Sequence, residues 1–325
     1  TRFLGVVLVG LALVTAGCGS AVLESGAPAD SVAMLPGGLE MAADASTEYS
    51  YEATLGYMTG SGESTGGPGD YDVSGILVGF EWMFVGMPDA KVQNDDVAYD
   101  LQPLAQMASS AGIEYMSGSI EPDGGTDVDM SSIGIDLRYV LTDGGAKGLG
   151  FEFDYSTATI EVPGADQDTD GFRLGVLYYV PQLEGLIAKL GYSTATTDDG
   201  TTEDDLGGID IGAQYYKEIV PGQFIDAELT LGFLSFEPEG GTDDDIMALA
   251  LRVAYYPMKF LGFEVGYSSE SYDKADDVDS SEITIGVVYN VEQVPGLDLN
   301  LQYYSEDQDP DDEESGIMFA VDYRF

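Results

Sequence analysis

The chain has 325 residues, with 59 acidic against 11 basic ones, a formal charge of −48, no histidine and one cysteine. That charge repels phosphate backbones and excludes non-specific nucleic-acid binding. Without histidine there is no Ser-His-Asp triad, Cys-His pair or His-ligated metal, and Cys18 alone makes neither a disulfide framework nor a zinc-thiolate site.

Residues Phe3 to Gly17 form one apolar run, preceded by Arg2 and followed by small residues. This is shorter than the roughly 20 residues a membrane-spanning helix needs, and its order of basic start, apolar centre and small-residue end predicts a signal peptide over residues 1–21. Cys18 follows Thr15-Ala16-Gly17. It reads either as the lipidation site of a bacterial lipobox, with Thr15 where Leu is usual, or as a chance cysteine beside a cut near Gly19-Ser20-Ala21. Residues 22–47 are small and polar around one apolar stretch, Val32 to Met41, and read as a loose leader or a small plug.

From about residue 48 apolar and polar residues alternate in segments near ten residues long, as in Ile209-Asp210-Ile211-Gly212-Ala213-Gln214-Tyr215 and Leu297-Asp298-Leu299-Asn300-Leu301-Gln302-Tyr303. Period two places apolar side chains on one face of a sheet and polar ones on the other. The chain divides into fourteen such strands. Short connections (Pro181–Gly185, Glu218–Gln223, Pro257–Lys259) alternate with long ones. Seven long connections, among them Glu161–Asp170, Thr194–Gly208 and Glu306–Ser315, hold 32 of the 59 acidic residues. One connection on the short side departs from the rule. Residues 85–110 form an insert in which Val97, Leu101, Leu104 and Ala108 have helical spacing and Pro103 suits the opening of a short helix; it reads as a turn packed beneath the rim or as a plug or gate.

Aromatics stand on the apolar face at both strand ends. Phe84, Tyr139, Tyr178, Tyr215, Tyr255, Tyr289 and Tyr323 mark the short-turn end; Tyr57, Tyr115, Tyr155, Tyr192, Phe233, Tyr267 and Tyr303 mark the long-loop end. A soluble sandwich also alternates, but it has no reason to ring both ends with outward aromatics, whereas a bilayer has two interfaces that favour them. The pattern predicts an all-β fold: a closed transmembrane antiparallel up-and-down β-barrel of about 14 strands. Closure is required because open strand edges in hydrocarbon leave backbone groups unpaired at several kcal/mol each.

The chain ends in Ile317-Met318-Phe319-Ala320-Val321-Asp322-Tyr323-Arg324-Phe325, apolar at every second position and closing on Phe. This resembles the terminal-strand signal of Gram-negative outer-membrane barrels, with Tyr323 and Phe325 as the assembly signal. Over residues 48–325 the chain resembles porin-like outer-membrane barrels as a class. The resemblance implies a bacterial outer-membrane location among lipid and lipopolysaccharide, recognition by the barrel-assembly machinery, both termini and the short turns in the periplasm, and the long loops outside. On it, residues 22–47 and the 85–110 insert are periplasmic. Asp30 to Leu39 also resembles the hatch of the fourteen-stranded long-chain fatty-acid channel family, without the Asn expected before Pro36.

By parity the lumen receives Glu52, Glu81, Glu114, Asp136, Glu152, Asp154, Asp210, Asp226, Glu228, Glu264, Asp298 and Asp322, together with Arg138, Arg173, Lys189, Arg252 and Arg324. Twelve acids against five bases predict an aqueous pore that prefers cations. The competing reading is a packed interior in which the bases neutralise the acids. Inward glycines such as Gly175, Gly191 and Gly262 either widen the lumen or make room for neighbouring side chains. The acidic loops suit weak Ca2+ or Mg2+ binding or a solvated saline surface. Asp123, Asp127 and Asp129 come nearest to a calcium loop, and no resident cofactor is expected. The sequence thus predicts a channel for passive diffusion of small hydrophilic solutes or cations. A fatty-acid-type transporter and a non-conducting barrel that displays acidic loops remain as alternatives. No enzyme is expected, since the lipases, omptin-like proteases and acyl modifiers among such barrels use histidine and this chain has none.

Overall fold

The computed structural model describes residues 50–324, except 65–68, 86–108, 123–126, 142–147, 163–164, 181, 184, 240–243, 259, 273–279, 292–293, 295–296 and 309–311. The signal peptide, Cys18, the 22–47 leader, most of the 85–110 insert and Phe325 therefore lie outside the described residues.

Fourteen strands follow one another: β1 Ser50–Ser64, β2 Gly69–Val85, β3 Ser109–Pro122, β4 Val128–Val140, β5 Leu149–Val162, β6 Ala165–Tyr179 and β7 Leu186–Asp198. Then come β8 Glu203–Val220, β9 Gln223–Glu237, β10 Asp244–Met258, β11 Leu261–Tyr272, β12 Ser280–Asn290, β13 Leu297–Gln308 and β14 Asp312–Arg324. Each pairs antiparallel with its sequence neighbours, and β1 pairs with β14, so the sheet closes. The closing register sets Glu52 opposite Arg324 and Tyr57 opposite Phe319. No strand edge is left for lipid to strip of hydrogen bonds, as closure requires.

Side-chain direction follows the predicted parity. Leu55, Ile76, Ile135, Leu174, Ile211, Leu231, Val265, Ile285 and Leu301 all face outward and are exposed. Both aromatic rings lie on this outer face: Tyr57, Tyr115, Tyr155, Tyr192, Phe233, Tyr267 and Tyr303 are exposed at one end, and Tyr139, Tyr178, Tyr215, Tyr255, Tyr289 and Tyr323 at the other. The side chain of Phe84 is not described. At the short-turn end Trp82 stacks on Tyr51 at 6.4 Å between ring centroids, an addition to the ring that the spacing rule passed over.

The strands are longer than the ten residues the alternation predicts, at 11 to 18. The extra length comes from the acidic connections. β5 continues from Tyr155 to Val162 and β7 from Tyr192 to Asp198, so the connections read as loops are largely paired hairpin stalks. Alternation of hydropathy fails there because the outer face beyond the lipid carries Thr and acidic residues, while the inner face stays buried, as at Ile160, Ala195 and Leu206; ladder hydrogen bonds do not depend on hydropathy. Side chains reinforce the pairing: Thr159 donates to Asp168 at 2.8 Å, Thr196 to Asp205 at 2.7 Å, and Thr169 and Thr197 share a bond at 3.0 Å. At the opposite end β8 turns into β9 through Pro221 and Gly222, the latter at φ +79° where only glycine is unstrained.

Candidate functional site: the inner wall

The inner wall carries the chemistry. Sixteen of the seventeen charged residues assigned to it by parity are buried or half-buried, and the side chain of Arg324 is not described. From β4 to β11 they join into one belt of ion pairs. Arg138 Nε donates to Glu152 Oε1 at 2.8 Å. Arg173 grips Asp210 with two nitrogens, Nε to Oδ1 at 3.2 Å and Nη2 to Oδ2 at 3.0 Å, and reaches Glu152 at 3.3 Å and Asp154 at 3.6 Å. Lys189 pairs with Glu228. Arg252 closes the belt, with Asp226 at 2.7 Å, Glu264 at 3.1 Å and Glu228 at 3.8 Å.

Register explains why these charges meet. Asp154 is opposite Arg173 and Arg138 opposite Glu152, and Arg252 is flanked by Glu228 on one side and Gly266 on the other. The glycines settle their own question. Gly175 and Gly191 face each other across β6 and β7, and a Cβ on Gly191 would strike Asp210 and the Arg173 guanidinium. These glycines make the floor on which Arg173 lies, 1% exposed, rather than a widening of the lumen. Gly262 does the same for the ring of Tyr256.

Two apolar zones border the belt. Toward the short turns Tyr216, Phe224, Ala254, Tyr256 and Val288 form one buried cluster, and Val140, Leu177 and Ile187 another. Across the barrel, on β1–β3 and β13–β14, Met58, Val73, Leu77, Met116, Tyr304 and Met318 pack together. On that side Thr54 donates to Asp322 at 2.7 Å, and Asn290 to Asp298 at 2.7 Å. The wall therefore carries its ion pairs on β4–β11 with apolar clusters on the same strands, and on β1–β3 and β13–β14 an apolar cluster among the acids Glu52, Glu114 and Asp322.

Sequence reasoning missed a set of inner acids. Glu270, Glu282, Glu306 and Glu314 are 4–6% exposed on the inner face. Glu270, Glu306 and Glu314 fall in the long acidic connections read from the sequence, and Glu282 stands just after one of them, because the strands run further than the apolar alternation. Their signal was the continued parity: Glu282 stands one residue before outward Ile283, and Glu306 two after inward Tyr304.

Among the described acidic connections, the β7–β8 tip is tied by its own bonds. Asp199 Oδ1 accepts from Thr201 Oγ1 at 2.6 Å, Thr201 N at 2.8 Å and Thr202 N at 2.7 Å. These bonds, led by the Thr201 hydroxyl, hold its carboxyl down at about 2. Among the described residues no three acids converge as a metal ion would need, at the tips or on the wall; Asp123 is not described.

The Gram-negative porin family model matches residues 24–311. No curated protein sequence matches significantly. Solved outer-membrane barrels share the architecture at low identity. The TodX deltaS2S3 mutant monoaromatic hydrocarbon channel has a TM-score of 0.50 at 11% identity, over 85% of this chain and 90% of that one. The Pseudomonas putida toluene transporter TodX has 0.48 at 13%, over 97% of each chain. The Acinetobacter baumannii outer membrane protein Omp33 has 0.45 at 12%, over 86% of this chain and 100% of that one. The fold is thus that of a bacterial outer-membrane barrel, and the chain belongs to the Gram-negative porin family.

Proposed function

We propose that this porin passes small hydrophilic solutes by passive diffusion and prefers cations, with both termini periplasmic and the acidic hairpins outside. The charged belt carries this reading. Among the described residues six acids meet four bases in ion pairs across β4–β11, so the wall is polar at mid-barrel and negative in sum. Facing rows of opposite charge set a transverse field, and an excess of acid raises the local concentration of cations. Because the belt side chains pack on one another, selection rests on charge along a narrow path rather than on a wide opening. Transport of this kind needs no chemical step. The last strand, ending Tyr323-Arg324-Phe325, would present the signal to the assembly machinery, and lipid and lipopolysaccharide would contact the outer aromatic rings.

A second reading has its own observation. The apolar cluster of Met58, Leu77, Met116 and Met318 offers a hydrophobic track along the wall. The deciding experiment is single-channel recording of the refolded protein in a planar bilayer under a tenfold salt gradient. A steady conductance with a cation-selective reversal potential is expected. A folded barrel that passes no ions but releases a hydrophobic dye across the membrane would overturn the diffusion reading in favour of the apolar track.

A further inference from the structure

A row of glutamates crosses the inner wall at the end of the barrel that carries the acidic hairpins. Glu282 of β12 is directly opposite Glu306 of β13, and Glu306 is directly opposite Glu314 of β14. They are 4%, 5% and 6% exposed, and Glu270 of β11 lies within electrostatic reach of Glu306. Like charges directly opposed across strands destabilise a sheet, and burial strengthens the repulsion. Ionising the row therefore costs free energy that a bound cation would return.

The row is partly fixed and partly open. Glu314 accepts from the Tyr304 hydroxyl at Oε1 (2.8 Å) and from the Tyr71 hydroxyl at Oε2 (3.0 Å). Both tyrosines lie against wall glycines: a Cβ on Gly62 would strike the Tyr71 ring, and one on Gly316 the Tyr304 ring. Glu314 is thus held in place by packing. In contrast, Glu282 Oε1 and Glu306 Oε2 are shut from solvent with no hydrogen-bond partner. A buried carboxylate oxygen left unpaired is costly, and two of them on directly opposed residues mark a place for donors.

The shape of the row selects the donor. A bare divalent ion needs oxygens converging on one point, and among the described residues no three acids converge so. Adjacent strands stand about 4.8 Å apart, so the row offers acceptors at regular intervals instead. Ammonium groups separated by three or four carbons match that interval, and each brings several donors. We propose that the Glu282–Glu306–Glu314 row binds extended organic polyamines. The proposal rests on the cation-preferring reading of the lumen and names a class of cation for it.

The test is calorimetric titration of spermidine into the full folded chain in a zwitterionic detergent. Saturable binding is expected, weakened at least tenfold in Glu282→Gln/Glu306→Gln and unchanged in the hairpin-tip variant Asp198→Asn/Asp199→Asn. Glutamine keeps the shape and removes opposed charges, so the variant is expected to fold, as heat-modifiable gel migration reports; the single Glu306→Gln carries the same expectation of weaker binding. Equal binding by wild type and the glutamine variants overturns the site, as does an equal loss in the tip variant. Displacement by magnesium chloride at the same concentration as spermidine also overturns it, since that is the behaviour of diffuse charge. Ion current without spermidine binding refutes the site and leaves the channel; spermidine binding by a folded barrel that passes no ions refutes the channel and leaves the site.

Discussion

Arg173 concentrates the electrostatics of the wall in one side chain. It is 1% exposed and within 3.6 Å of three carboxylates, those of Glu152, Asp154 and Asp210. Removing one partner of a buried ion pair leaves a charge without compensation, which costs about 3–5 kcal/mol, far more than the pair itself contributes relative to apolar packing. Arg173→Ala is therefore expected to lower unfolding stability by about that amount, and urea titration of the vesicle-embedded barrel measures it. Arg138→Ala, at a site whose side chain is 23% exposed, should cost clearly less because solvent replaces the lost partner. Equal losses at the two sites would show that the Arg173 carboxylates are hydrated rather than buried.

At the scale of the strand, the hairpin stalks separate two sources of stability. Between the aromatic rings a strand gains from lipid-facing side chains and from ladder bonds, whereas beyond Tyr155 and Tyr192 the lipid contribution is lost and ladder bonds, Thr–Asp contacts such as Thr196–Asp205 and inner packing such as Leu206 on Leu234 and Ile246 remain. Replacing residues 197–204 by a two-residue turn should thus leave thermal stability nearly unchanged and the conductance intact, because shortening a closed hairpin recovers as much loop entropy as it removes in contacts. Thermal melts and bilayer recording of the same variant check this; a collapse in stability would mean that the stalk supports the barrel. The same division explains what the sequence made legible. Between the rings, burial on one face and lipid on the other write period two into every strand, so the fourteen strands and the inward position of Arg173 or Glu228 can be read directly. Beyond the rings the outer face is wet, the period loses its apolar half, and Glu306 and Glu314 are taken for loop residues while Glu282 stands just past the end of a connection. Nor does periodicity reveal partners: that Asp210 meets Arg173 rather than Lys189 depends on register and on the bare floor at Gly175 and Gly191.

For the molecule as a whole, charge and closure pull against each other. The seam between β1 and β14 joins residues almost a chain length apart, as in the Thr54–Asp322 bond, so the barrel gains no closed edge until its last strand is in place. Meanwhile the chain carries a formal charge of −48, much of it on the connections at one end. Those connections must cross the apolar layer before the seam can form, and an anionic surface opposes their approach. Refolding from urea is accordingly expected to be at least severalfold slower into vesicles containing anionic lipid than into purely zwitterionic ones. Salt should narrow the difference, because the screening length falls from about 30 Å at 0.01 M to about 10 Å at 0.1 M. Gel-shift kinetics in the two vesicle types at both salt concentrations provide the measurement. A rate difference that persists undiminished at high salt would place the barrier in lipid packing or seam closure and not in the acidic hairpins.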